Sequence, residues 1–259
     1  MKISFLVTVH NEDTDLDILL EQLVEYKLSN EEDEIVVLDD YSDNPKTEAV
    51  IKKYIDHIRY EKHHLNKNFG AHKQYGNELC NGDFIFQIDS DEYFTETLLV
   101  GLKGLVEQNP EVDLYLIPRI NIIRGLTEER ARPWGWEISK IDGITNTSTF
   151  LTDDEEYLFL KKYDFITDEA ILNSIKVEVG YNFPIINWKS GDYQYRFYRN
   201  DPKIKWEREL HEHIVGASTT TRLPINPEWA LIHDKSIDRQ EKQNRFYISA
   251  FSQQLNVRK

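Results

Sequence analysis

The chain is expected to fold as an α/β protein with a mostly parallel central sheet, and three observations predict this. Short apolar runs rich in β-branched residues alternate with segments whose apolar residues recur at helical spacing, the pattern of repeated βαβ units. The runs are apolar throughout, as in strands covered on both faces. Several end in acids, hydroxyls and turn formers, the composition expected at the carboxyl edge of a parallel sheet, where ligands bind.

The elements follow in order. Residues 3–9, ISFLVTV, form the first strand. TDLD at 14–17 reads as a capping box, and Leu16, Leu19, Leu20 and Leu23 repeat on one helical face. EIVVLDDYSDN at 34–44 is a second strand running into acids and turn residues. Pro45 opens a helix whose apolar face is Val50, Ile51, Tyr54 and Ile55. IRYEKHH at 58–64 is a third strand, and Ala71, Tyr75 and Leu79 mark one face of a third helix closed by Asn81-Gly82. FIFQI at 84–88, a helix near 97–108 and DLYLIP at 113–118 complete a first half spanning 1–118. Residues 119–187 are charged and partly helical in pattern, and are taken as an insertion, open to reading as a lid, an oligomer contact or decoration. The last unit, 188–259, carries the β-rich runs YQYRFYR, IKWEREL and EWALIH, then a polar helix from about Ile237 to Leu255. All three units belong to one domain.

Composition narrows the function classes. The chain has 259 residues, enough to bury roughly 70–75% of its unfolded surface without staples. Asp and Glu number 46 against 31 Lys and Arg, a net charge of −15, which repels phosphate backbones and disfavours nonspecific nucleic-acid binding. Cys80 is the one cysteine, so no intrachain disulfide or cysteine zinc site forms, and it reads as a core residue near a helix end. No apolar run reaches the ~20 residues of a membrane span. The first strand begins at once, leaving no room for a signal peptide, so the expected location is cytoplasmic.

Three strand ends carry the candidate chemistry: Thr8 to Glu12, Asp39-Asp40, and Asp89-Ser90-Asp91. Carboxylates at i and i+2 just past a strand suit a hard divalent cation, which neutralises their repulsion and can act as a Lewis acid on a leaving phosphate. D-x-D alone is a weak signal, since a solvated strand-end turn has the same composition. Its place after an apolar strand, with LDD upstream in an α/β half, gives it weight.

The segments ISFLVTVHNE, EIVVLDDYSDN, NFGAHKQYGNELCNGDFIFQIDSDE and ELHEHI, with a late LIHD, together resemble a family 2 glycosyltransferase of the GT-A fold, a Rossmann-like nucleotide-binding architecture. The resemblance is to lipopolysaccharide-core glucosyltransferase-like and bacteriophage-encoded members, and covers roughly 1–120 and 188–250. It implies that Thr8, His10 and Glu12 lie beside the nucleoside and that Asp40 accepts from the N3–H of uracil or thymine, with Asp39 supporting the turn. It implies that Lys73 meets the diphosphate, Asp89 with Ser90 lies at the ribose, and Asp91 holds Mn²⁺ or Mg²⁺. Gln74 stands where the family pattern has asparagine. A late histidine commonly completes the metal site, which points to His233, at the end of its strand, or to His211.

The resemblance further implies an inverting hexosyl- or pentosyltransferase, which needs a general base on the acceptor hydroxyl. The familiar Glu-Asp pair is not evident. Glu212 is the first candidate and Asp192 the second. If ELHEHI is a strand, His211 and His213 point away from Glu212. Arg196 and Arg199 could meet phosphate or pair with surface acids, and Trp134, Trp136, Trp188 and Trp206 could stack on a sugar or pack in the core.

The expected donor is a nucleotide diphosphate sugar, a UDP-sugar, and the expected acceptor a surface glycan or its lipid-linked precursor, in a bacterial or phage-infected cell. A hydroxymethylated DNA base or a base-linked sugar is an alternative acceptor that the net charge disfavours, and a protein acceptor is a third class. A nucleotidyltransferase is disfavoured because VTVHNEDTD lacks a glycine-rich phosphate loop. A noncatalytic nucleotide-sugar-binding protein would keep Asp40 and Asp91 without turnover.

Overall fold

The computed structural model describes residues 1–132, 138–142, 145–147, 185–186 and 191–251. The elements are β1 (Ile3–Val9), α1 (Thr14–Leu28), β2 (Glu34–Asp39), α2 (Pro45–Tyr54), β3 (Arg59–Lys62), α3 (Phe69–Leu79), β4 (Phe84–Asp89), β5 (Glu92–Phe94), α4 (Glu96–Gln108), β6 (Leu114–Ile117), β7 (Arg119–Arg124) and α5 (Glu128–Ala131). There follow β8 (Ile138–Asp142), β9 (Thr145–Thr147), β10 (Ile185–Ile186), β11 (Gln194–Arg199), β12 (Lys205–Glu207), β13 (His213–Val215), β14 (Thr220–Arg222), β15 (Leu231–Ser236) and α6 (Ile237–Ala250). Most of the expected insertion, with Trp134, Trp136 and Trp188, lies outside the described residues, as does the chain beyond 251. No described helix is long and apolar enough to cross a membrane.

The central sheet has the order β14-β6-β11-β4-β1-β2-β3. β3, β2, β1 and β4 are parallel neighbours, β14 is parallel to β6, and β11 is antiparallel to both β4 and β6. After β1 the chain steps outward through β2 to β3, then returns to place β4 on the other side of β1. That reversal is a topological switch point, which opens a crevice at the carboxyl ends of β1 and β4. The register fixes what faces it: Thr8 pairs with Asp89, and Val9 with Asp39. A second sheet, β5-β15-β7-β10-β8-β9, begins directly after the Asp89-Ser90-Asp91 turn. β5 leads into it, and β15 places His233 opposite Glu92 on one side and Asn121 on the other.

Leu16, Leu19, Leu20 and Leu23 of α1 pack on the central sheet with Phe5, Phe86 and Phe94 as expected. The cap differs: Asp13, not Thr14, closes the helix, its carboxylate accepting from Thr14 N–H. In α2 the buried residues are Thr47, Ile51 and Tyr54, while Ile55 falls past the helix end and is exposed.

The expected face of α3 is corrected more deeply. Ala71 is exposed, and the buried residues are Gly70, His72, Lys73, Gly76, Asn77 and Leu79. Glycine permits this close approach, since a Cβ at Gly76 would lie 2.7 Å from Leu6 Cδ2 and one at Gly70 would strike the Arg208 carbonyl. Glu96 is exposed in the first turn of α4, capped by Thr95, where an acid suits the helix dipole.

Candidate active site

The β1–α1 loop is tied down by its own polar groups. Glu12 accepts from His10 N–H at 2.7 Å and from Ser90 Oγ at 2.8 Å, linking the end of β1 to the turn after β4. His10 Nδ1 donates to the Asp40 carbonyl at 2.8 Å. Asp40 accepts from Leu65 N–H at 2.8 Å. Asp39 is buried and accepts from Ser42 N–H, Ser42 Oγ and Tyr60 OH, so it holds the turn. Beside Asp40, the Tyr41 ring stacks on His64 at 3.7 Å, a pair that sequence spacing did not suggest.

The acids after β4 are compensated by cations from distant segments. Lys73 Nζ lies 2.6 Å from Glu212 and 3.5 Å from Asp89. Asp89 also accepts from Thr8 Oγ1, Gln87 and Arg196, the last at 2.6 Å. The same Arg196 Nη2 lies 2.7 Å from Glu92, and its Nη1 bonds Gln87. Glu92, fully buried, also meets Arg119 at 2.8 Å, and Arg119 in turn grips Asp192 through Nε and Nη2. Charges therefore alternate from Glu212 to Asp192 across the strand ends. Burial raises the Asp89 carboxyl, but Arg196 and Lys73 outweigh it and hold the group well below the usual carboxylate range. Glu212 behaves alike: burial raises it, and Lys73 brings it below its ordinary value.

This ladder changes the meaning of the acidic run. Arg196, expected to meet phosphate or surface acids, is itself buried and neutralises two buried acids, while Arg199 pairs with Asp113. Arg119 carries no sequence signal of its own, because an arginine after a strand has the composition of a surface charge, and only its buried partners Glu92 and Asp192 distinguish it. Trp206 is a core residue: its indole N–H donates to Tyr198 and Lys73 sits over its ring. Gln74 accepts from the Trp206 backbone N–H and so braces β12. Cys80 is buried, and burial pushes its thiol up to about 12.

The remaining acid, Asp91, meets His233, and the hydrogen-bond chain fixes the tautomer of that ring. Carboxylates only accept, so Asn121 Nδ2 donates to Asp192, at 2.7 Å. Asn121 Oδ1 therefore faces His233 Nδ1 at 2.8 Å, and Nδ1 carries the proton. Burial lowers the pKa of His233 against the opposing pull of Asp91, which favours the neutral ring, and in that form Nε2 turns a lone pair toward Asp91 Oδ2 at 3.2 Å. The neutral ring and the carboxylate then face one another as two acceptors. A divalent cation fits there, because both atoms are ligands it accepts and Asn121 and Asp192 orient the ring from behind.

The described residues form no group of three or more His, Cys, Asp or Glu able to hold a metal. His211 does not join Asp91 and His233. It sits at φ 55° before β13, so neither it nor Glu212 is a strand residue and the strand-parity expectation for them does not apply. His233 is the third residue of a six-residue strand, not its end.

A family model described as glycosyl transferase family 2 matches residues 4–184. The chain belongs to that family. Over 112 residues, this family 2 chain is 27% identical to poly(ribitol-phosphate) beta-N-acetylglucosaminyltransferase TarP of Staphylococcus aureus (strain N315), covering 42% of the chain and 34% of that protein. Among solved structures it is similar to S. aureus TarS, with TM-score 0.53 and 16% identity, covering 91% of this chain and 37% of that one. For TarS residues 1–349 in complex with UDP-GlcNAc the TM-score is 0.52 at 17% identity, covering 91% and 59%. The family 2 chain thus spans about a third of the curated relative it matches. The likeness to TarS is one of fold, and the fold is GT-A.

Proposed function

We propose that the chain is a metal-dependent inverting glycosyltransferase that moves a sugar from a UDP-sugar to a hydroxyl of a surface glycan or its precursor. The observation that carries this is the opposed pair of acceptors, Asp91 and His233, at the β1/β4 switch point of a family 2 fold. The names of the relatives supply the donor and acceptor class: TarS has been solved with UDP-GlcNAc, and TarP is named for poly(ribitol-phosphate). The reading therefore favours UDP-GlcNAc as donor and a polyol-phosphate polymer as acceptor.

In this reading Asp40, with the Tyr41–His64 stack beside it, receives the base, and Thr8, Ser90 and Asp89 border the ribose. Asp91 and His233 hold Mn²⁺ or Mg²⁺, which when bound supplies Lewis-acid neutralisation of the leaving diphosphate. Glu212 takes the proton from the acceptor hydroxyl. Lys73, 2.6 Å away, keeps Glu212 ionised against its burial and in doing so lowers its basicity. Asp192 is the alternative base, but its Oδ2 already receives three hydrogen bonds from Arg119 and Asn121, which suits a bracing role better.

The test measures UDP release from a panel of UDP-sugars with and without Mn²⁺ and poly(ribitol phosphate). The reading expects acceptor-stimulated release with UDP-GlcNAc that is lost in Asp91→Asn and Glu212→Gln. Release from no UDP-sugar, with the protein folded, would reject it.

A further inference from the structure

The Asp91 carboxylate has a second claimant. Its Oδ2 lies 3.2 Å from Nε2 of His233 and 3.3 Å from Nη2 of Arg239. Arg239 is the third residue of α6. Its guanidinium also meets Glu12 at 2.5 Å and Asp15 at 2.8 Å. One side chain thus gathers acids from the β1–α1 loop, the first turn of α1 and the turn between β4 and β5. The helix that carries it reaches the crevice acids through this arginine. Gln243 and Tyr247 follow at i+4 and i+8, on the same face, with Lys235 Nζ on Gln243 at 2.9 Å and Gln243 Nε2 on the Tyr247 hydroxyl at 2.8 Å.

We infer that Arg239 is a built-in counter-cation that holds Asp91 in the metal-free chain and competes with a divalent cation for that carboxylate. The inference rests on the reading of Asp91 and His233 as the cation pair. A guanidinium and a divalent cation on the same oxygen repel each other, so occupancy by one disfavours the other. Glu12 and Asp15 hold the guanidinium from their own side, so it stays near the crevice when it leaves Asp91. Arg239 is accordingly a positioning residue: it keeps the acids assembled before the cation arrives and sets how tightly the cation binds.

The experiment is Mn²⁺ binding to the full chain without nucleotide, by titration calorimetry, on wild type, Arg239→Gln, Arg239→Lys, Asp91→Asn and the Arg239→Gln/Asp91→Asn pair. Arg239→Gln is expected to bind Mn²⁺ on the order of tenfold more tightly than wild type, the scale of one close charge interaction. Arg239→Lys should return affinity toward wild type, and both Asp91→Asn proteins should lose binding. Equal or weaker binding by folded Arg239→Gln, with binding still dependent on Asp91, overturns the competition and leaves the cation reading standing. Binding that does not depend on Asp91 in any protein sinks both. A readout that requires no folded Arg239→Gln is the guanidinium Nε resonance of Arg239 in wild type, followed during a Mg²⁺ titration. It should move as Mg²⁺ binds and stay fixed in Asp91→Asn, and a resonance that Mg²⁺ does not move in wild type overturns the inference.

Discussion

Replacing Arg196 with methionine tests the charge ladder at its centre. Arg196 is 2% exposed and serves Asp89, Glu92 and Gln87 together. Methionine keeps much of the stem's volume and removes the charge. Asp89 retains Lys73 and Thr8, but fully buried Glu92 is left with Arg119, which it shares with Asp192. Breaking a buried pair by removing one partner destabilises by about 3–5 kcal/mol, because a charge stays buried without compensation. For a chain of this size each kcal/mol moves the midpoint by about 2–4 °C, so the melting temperature should fall by roughly 10 °C. The assay is urea and thermal unfolding followed by circular dichroism, with Arg196→Met/Glu92→Gln as companion. Removing the orphaned charge should restore about half of the loss. A loss below about 1 kcal/mol in the single variant, or a companion no more stable than it, would refute the view that Arg196 holds buried acids in place.

Other outcomes follow from the same geometry. Asn121→Leu removes the acceptor that fixes the His233 tautomer, and Mn²⁺ affinity should fall roughly 10–100-fold with the fold intact, read by titration calorimetry. Burial, with His63 facing it, lowers the pKa of His72 from its ordinary 6.5 to about 4, while Asp40 and Asp89 work to raise it and Lys73 to lower it. The neutral ring is favoured in the folded state, so its stabilisation is present above pH 6.5 and is lost as pH falls toward 4. Between pH 7.5 and 4.5 wild type should lose about 2 kcal/mol more than His72→Gln in urea unfolding, and parallel curves would contradict this. Gly70→Ala drives a Cβ into the Arg208 carbonyl, so it should destabilise by about 1–3 kcal/mol and displace the 208–212 loop. An unchanged melting temperature would show that the loop yields freely.

The framework was legible because strand periodicity and the residues at strand ends are local properties. ISFLVTV, EIVVLDD and FIFQIDS announce buried parallel strands with acids at one edge, and the structure sets those edges side by side. The compensation of those acids was not legible, because each cation arrives from far along the chain. Arg196 reaches Asp89 across 107 positions and Arg239 reaches Glu12 across 227. The buried face of α3 departs from the expected one for a related reason. Apolar spacing chose Ala71 and Tyr75, whereas the helix buries glycines that let it approach Leu6 and a lysine whose partner, Glu212, lies 139 positions away. His233 is reached through the resemblance and not at its true place in the strand, and Asn121, which faces its Nδ1, carries no signal of its own.

The adjacency of β6 and β11 has a consequence for how such proteins diversify. Ile117 pairs with Gln194, and the described strands between these two, β7 to β10, pair in the second sheet and not in the central one. A segment anchored at both ends in this way is tethered like a bead on a closed loop. Doubling a flexible loop's length adds only about 0.6 kcal/mol of closure entropy. The chain between β6 and β11 can therefore change in length at little closure cost while the parallel strands, and the acids at their ends, keep their places.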